Sequence, residues 1–413
     1  MRIGFIAARL SGTDGVSLEV EKWAKVLRRM GHEVFFCAGE LGGYAAKGTY
    51  IPKLHFTHQS IRQLTQRAFD DNSADAEKVT DEIYAAADEL RAPLRDFIRS
   101  NRLDLIIVQN ALTIPMNLPL GVCLTGLIAE LGINTIAHHH DFFWERQRYQ
   151  INGILGLLDT AFPAKLPSIQ HVTINSIAQN RLKARRDIDS IVIPNVHDFE
   201  EEPPGIDNYN RGFRDELGLT SEDIFVLQPT RVVRRKGIEM ALELLHRLNL
   251  PKAHLYITHS ATDEGTNYWR WLKREANVMG VRLRLIDDMI GTERSQIDGH
   301  KIYAIWDAYP HADLITYPSA YEGFGNALLE AIYFRRLMVV NCYPVYNADI
   351  KPLGFEFVEM DGFVDDNAIE RTKQLLNDPE QVKKMVNQNY EIAREHFSLD
   401  ILGRKLKEIV ENF

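Results

Sequence analysis

Cysteine is scarce in this chain: Cys37, Cys123 and Cys342 are the only three in 413 residues. An odd, widely spaced set forms neither a disulfide framework nor a metal-binding pair, and it fits a reducing cytoplasm. Long apolar runs are missing as well. No stretch approaches eighteen uninterrupted apolar residues, so no membrane-spanning helix is expected. The apolar start at residues 1–8 is too short for a signal peptide. Positive charge is not in excess: 48 Lys and Arg against 57 Asp and Glu give a formal net charge of −9, which argues against nucleic acid as the main partner. Low-complexity tracts and short-period repeats are absent. What is present is an ordinary globular composition, 45% hydrophobic and 25% charged, at a length expected to form two domains.

Short apolar segments alternate with amphipathic ones along the whole chain. Ile3-Gly4-Phe5-Ile6-Ala7-Ala8 reads as a buried strand. Val16, Val20, Trp23, Leu27 and Met30 then recur at helical spacing, and Glu33-Val34-Phe35-Phe36-Cys37 begins the next strand. This is a βαβ unit with a right-handed crossover. Further strands are expected at 103–108, 134–137, 171–174 and 190–193. The segment 194–205 combines three prolines, a glycine and an acidic run, and reads as a linker. A second alternation follows, with strands expected at 224–227, 255–258, 282–286, 314–316 and 338–340. Two βα alternations joined by a Pro-rich hinge imply two doubly wound α/β domains facing a cleft. The chain is thus divided into 1–195, 196–385 and a helical C-terminal segment, 386–413.

Four segments carry chemistry. In Ser319–Arg336 a strand ends at Pro318, Gly323 and Gly325 allow a tight turn, and a helix starts near Asn326. The first turn of such a helix offers unpaired N–H groups and partial positive charge, which suits a phosphate. Glu322 and Glu330, with seven residues between them, can accept hydrogen bonds from sugar hydroxyls. Gln228–Gly237 follows the first strand of the second half. There Arg231 and Lys236 can neutralise a diphosphate and stabilise it as a leaving group, while Arg234 and Arg235 are expected to be solvated. Ala137–Arg146 closes a strand of the first half with His138, His139, His140 and Asp141. His138 and His140 should share a face. A zinc site there lacks a Cys or a third spaced ligand, and a packed histidine is the plainer rival. Gly12-Thr13-Asp14-Gly15 follows the first strand and is not G-x-G-x-x-G, which weakens a nicotinamide-binding reading.

Together these segments resemble the E-x7-E retaining glycosyltransferases of GT-B fold, family 4 (glycosyltransferase group 1). First loop, His-Asp, hinge, R…KG and E-x7-E occur in the family's order over nearly the whole chain. The resemblance implies a C-terminal helix that crosses back to the first domain. It also implies a nucleotide-diphosphate sugar as co-substrate, with no tightly bound cofactor and no required metal. Carried over position by position, Glu322 would contact the donor sugar and Glu330 the ribose. Arg231, Lys236 and the amides of Gly323, Phe324, Gly325 and Asn326 would hold the diphosphate. His140 would be the active-site histidine, with His139 as the alternative register. Gly12, Gly15 and Arg146 would line the acceptor side. The stretches SGTDGVSLEVEKWAKVL and HHHDFFWER are similar to those of enzymes making small charged solutes of the glycerate or glycosylglycerate type. Hexosyl transfer to such an acceptor is the expected function, with a glycan or lipid-linked acceptor, or a sugar-nucleotide epimerase, as rivals. A soluble, cytoplasmic protein is expected; a homo-oligomer stays open.

Overall fold

Strands closed by Gly, Asn or Pro and separated by amphipathic helices form parallel sheets in a computed structural model of the protein. The structure describes residues 1–12, 15–46, 48–69, 76–261 and 266–413. The chain divides into two compact units, one of residues 1–196 with 399–413 and one of residues 197–398.

The first unit contains β1 (Arg2–Ala7), β2 (Glu33–Ala38), β3 (Thr49–Tyr50), β4 (Leu105–Gln109), β5 (Asn134–His139), β6 (Ile169–Thr173) and β7 (Ser190–Val192). They lie in the order β3-β2-β1-β4-β5-β6-β7, all parallel. The helix Gly15–Arg29 lays Val20, Trp23 and Leu27 on one face of this sheet. Each such side chain, fully buried, contributes about 1.5–3 kcal/mol. The last helix, Leu399–Val410, adds Leu402, Leu406 and Ile409 to that same core. Chain entry and exit therefore meet in one hydrophobic cluster. Glu19, wholly buried, pairs with Lys22 at 2.6 Å, and Lys22 also donates to the Val196 carbonyl. Burial pushes the Glu19 carboxyl up, against the pull of Lys22.

The second unit contains β8 (Ile224–Gln228), β9 (Ala253–Ile257), β10 (Arg282–Leu285), β11 (Ile290–Gly291), β12 (Ser295–Ile297), β13 (His300–Ala304), β14 (Leu314–Tyr317), β15 (Met338–Asn341) and β16 (Val358–Met360). Six of them form a parallel sheet in the order β10-β9-β8-β14-β15-β16, while β11, β13 and β12 form a small separate one. The helix Pro379–Phe397 stays with this unit. Its ends adjoin, since the His197 N–H donates to the Phe397 carbonyl at 2.8 Å and His197 bridges Ser398.

The strand order reverses between β1 and β4 in the first sheet and between β8 and β14 in the second. Ligands of doubly wound sheets bind outside the carboxyl ends of the strands at such a reversal. The Gly12–Gly15 loop leaves β1, and the two motif-bearing loops of the second half leave β8 and β14. The edge strands β3 and β16 and the small sheet were not expected. At two or three residues, β3, β11, β12 and β16 are too short to display an alternation of their own.

Candidate active site

In the second unit the ends of β8 and β14 are stitched together by side chains. The Thr316 hydroxyl donates to Gln228 Oε1 at 2.6 Å, and Gln228 Nε2 donates to the Thr230 hydroxyl at 2.8 Å. The loops that follow touch through their backbones. The Ala320 N–H donates to the Arg235 carbonyl at 2.9 Å. Gly237, in the left-handed region at φ +59°, lies so close to Pro318 that a Cβ would sit 2.3 Å from that carbonyl oxygen. Gly237→Ala is therefore expected to cost about 1–3 kcal/mol from backbone conformation alone, with the clash added. A lowered urea midpoint, together with weaker nucleoside diphosphate binding by calorimetry, checks this.

That contact brings three charged side chains together. Lys236 is 8% exposed and Glu322 6% exposed, and they form an ion pair; the Arg235 guanidinium donates to the other Glu322 oxygen at 3.0 Å and to the Tyr321 carbonyl at 3.2 Å. Burial alone would raise the Glu322 pKa, but the two cations outweigh it and hold the carboxyl below its usual range. Arg235 was expected to be solvated and is instead a partner of Glu322. The short 3₁₀ turn at Arg234–Lys236 aims Arg235 and Lys236 inward and leaves Arg234 exposed, over the Tyr268 ring. Arg231 stands exposed at the start of the same loop.

The turn into the helix Asn326–Tyr333 is held by tyrosines. The buried Tyr343 hydroxyl donates to the Phe324 carbonyl at 2.6 Å. Peptide C=O and N–H groups point opposite ways, so the Gly325 N–H faces away from Tyr343. Gly325 has φ +129°, and a Cβ there would lie 2.8 Å from the Tyr343 oxygen and 3.1 Å from that of Tyr317. Gly323 and Asn326 are half-buried beside this turn, and the Phe324 ring is buried against Phe397, leaving its backbone as the part with chemistry to offer. Glu330 lies one turn into the helix and accepts from the buried Tyr309 hydroxyl at 2.7 Å.

In the first unit His140 directly follows β5. Its Nε2 lies 3.1 Å from Gln109 Oε1, and its N–H donates to Asn110 Oδ1 at 3.1 Å. Asn110 adopts φ +58°, which Asn tolerates better than most residues. Its Nδ2 also donates to Asp141 Oδ1 at 2.9 Å. One amide thus fixes both members of the His-Asp pair. Arg146 is bound to the other Asp141 oxygen. His138 shares the face of His140, with ring centroids 4.4 Å apart, and stacks on Trp23 at 4.3 Å. His139 points the other way and shares a 2.8 Å hydrogen bond with His171. Of the two registers, His140 is the half-buried one and His139 is buried. The three histidines do not converge, and the described residues include no group of side chains suited to a metal ion. Gly12 and Gly15 flank the first loop; Thr13 and Asp14 lie outside the described residues. On the helix Ser176–Arg186, Arg181 pairs with Glu145, Lys183 with Asp187 and Arg186 with Asp159.

Sequence reasoning missed Gln109, Asn110, Arg235, Tyr309, Tyr317 and Tyr343. The Gln109-Asn110 pair did carry a signal, as polar residues closing an apolar strand at its carboxyl end. The tyrosines carried none, because Tyr309 and Tyr343 act on partners 21 and 19 residues away and Tyr317 meets Gly325 only through the turn between them.

No family model matches the chain. It is 34% identical over 443 residues to the mannosylglucosylglycerate synthase of Petrotoga mobilis, covering 100% of this chain and 98% of that one. The corresponding figure for the mannosylglucosylglycerate synthase of Thermotoga maritima is 33% over 442 residues, covering 98% and 100%. Among solved structures, HepE of Anabaena in complex with UDP-glucose superposes with a TM-score of 0.68 at 15% identity over 100% of both chains. The sucrose-phosphate synthase of Thermosynechococcus elongatus gives 0.69 at 14% identity, over 100% and 98%. WaaG, a glycosyltransferase of lipopolysaccharide biosynthesis, gives 0.63 at 14%, over 98% and 99%. At such identity the likeness is one of fold: two Rossmann-like units of the GT-B type. No helix among the described residues is long and apolar enough to cross a membrane.

Proposed function

The chain belongs to the family of glycosyltransferases that includes the mannosylglucosylglycerate synthases, and from that premise we propose a retaining, family 4 hexosyltransferase acting on a glycerate-type acceptor. The donor is a nucleotide-diphosphate sugar, and the acceptor a small carboxylate-bearing sugar such as glucosylglycerate. The observation that carries this reading is the meeting of Lys236, Arg235 and Glu322 where the strand order of the second sheet reverses.

In the proposed reaction the diphosphate lies at the N-terminus of the helix Asn326–Tyr333. The Gly325 amide, Arg231 and Lys236 accept the charge that develops as the bond from anomeric carbon to phosphate oxygen breaks. Glu322 holds the hexose hydroxyls and Glu330 the ribose. His140, whose Nε2–H is held by Gln109 Oε1 and whose backbone is held by Asn110, offers Nδ1 as an acceptor to a hexose hydroxyl. The acceptor hydroxyl attacks the anomeric carbon from the face the diphosphate leaves, and its proton passes to the departing phosphate oxygen. Both Glu322 oxygens are engaged by cations, which supports a binding role over that of a covalent nucleophile. Arg146, fixed by Asp141, is a cation suited to the acceptor carboxylate. Three cysteines, all free, support a reducing cytoplasm as its setting.

Calorimetry with UDP-, GDP- and ADP-sugars, followed by incubation with glycerate-type acceptors and mass spectrometry, tests the proposal. Tight binding of one nucleotide class and an acceptor heavier by one hexose are expected. An altered nucleotide sugar formed without any acceptor would point to an epimerase instead.

A further inference from the structure

The loop after β9 adds a residue to the site that the motifs do not include. β9 neighbours β8, and the Val232 N–H donates to the Ser260 carbonyl at 3.4 Å, so the segment 258–260 lies against the Arg231–Lys236 loop. Between the buried Thr258 and this contact stands His259, with Nδ1 2.8 Å from the Thr258 hydroxyl. With that hydroxyl donating to Nδ1, the ring proton resides on Nε2. Nε2 has no hydrogen-bond partner among the described residues. Burial, and after it the charges of Arg231 and Lys236, push the His259 pKa down to about 4. The ring is therefore neutral near pH 7 and lies within the fields of both cations.

We propose that His259 is a diphosphate-binding residue, donating from Nε2 to a phosphate oxygen of the nucleotide beside Arg231 and Lys236. The inference rests on the nucleotide-sugar reading and extends it. Arg231, Arg235 and Lys236 already outnumber the single Glu322 carboxylate, so a fourth cation nearby would meet repulsion before any ligand arrived. A neutral N–H donor adds a hydrogen bond to the anion without that penalty. With the Thr258 hydroxyl as donor, a neutral group holds Nδ1 as the acceptor and leaves Nε2–H for the ligand.

The test is calorimetry on the full chain with whichever of UDP, GDP and ADP binds the wild type, with the matching nucleoside as control. His259→Ala is expected to weaken diphosphate binding about tenfold while nucleoside affinity stays unchanged. His259→Gln, whose amide N–H can reach the position of Nε2, is expected to recover most of the loss. Unchanged diphosphate affinity in His259→Ala overturns the inference. So does a parallel loss for nucleoside and diphosphate, which marks a merely structural role. If the wild type binds none of the three diphosphates, the nucleotide-sugar reading itself falls.

Discussion

Glu322→Gln is expected to lower kcat/KM for hexosyl transfer about 10²–10³-fold, the range for removing one preorganised polar contact from a transition state. It should also destabilise the second unit. Lys236 is 8% exposed and its ammonium is paired with Glu322. Removing one partner of a buried pair costs roughly 3–5 kcal/mol because the remaining charge stays out of water. Arg235, more exposed, can turn to solvent; Lys236 cannot. The double variant Glu322→Gln/Lys236→Met replaces the pair with groups that need no counter-charge. It should recover most of the stability and none of the turnover. Urea denaturation and steady-state kinetics on the single and double variants separate the two effects. Wild-type turnover by the single variant would remove Glu322 from the reaction.

Mild acid should unfold the protein well before its carboxylates titrate. His138, His139 and His171 are almost wholly buried. Burial comes first among the causes that lower all three, followed for His138 by the neighbouring His140 and His139 and for His139 by His171 and His140. His171 falls to about 4, and the other two lie well below the ordinary value. An unfolded histidine takes up a proton near pH 6.5, so below that pH the unfolded state binds protons that the folded state refuses. Stability is then complete above about pH 7 and declines as pH falls. For His171 the loss between pH 8 and pH 5 is roughly 2 kcal/mol, and His138 and His139 add losses of the same sign. His259 and His311 in the second unit act likewise. Total stabilities of about 5–15 kcal/mol leave little room for such a sum. Denaturant midpoints followed from pH 8 to pH 5 should fall steeply. His138→Phe keeps an aromatic ring against Trp23 and removes one proton acceptor, so it should flatten the slope by about one proton. An unchanged slope would mean that His138 is charged in the folded state.

The central strands of both sheets were legible because each is a short apolar run between turn residues; β1, β5, β8 and β14 start and end within two residues of where Ile3, Asn134, Ile224 and Leu314 suggest. Of the edge strands, β7 and β10 were legible as well, whereas β3 and β16 owe their pairing to neighbours rather than to a pattern of their own. Within the site, Glu322 and Lys236 stood out as charges beside glycines. Their pairing could not be read, because it depends on Gly237 meeting Pro318 across some eighty residues of intervening chain. Arg235 shows the limit most clearly. Its sequence neighbours make it look like one of a pair of solvated cations with Arg234, and only the 3₁₀ turn distinguishes the two. The histidine run is similar: alternation put His138 and His140 on one face, but nothing local says that His139 meets His171.

The helix Leu399–Val410 completes the hydrophobic cluster begun by Ile3 and Trp23. A nascent chain therefore emerges from the ribosome with the sheet of its first half fully made but one flank uncovered. Residues 197–398 must all be translated before the covering helix arrives, a delay of roughly 10–40 s at about 5–20 residues per second. The inserted half has no such dependence, because His197 and Ser398 lie side by side and its segment is synthesised without interruption. The later-made half can thus reach its native state first, and the earlier one waits for its covering helix.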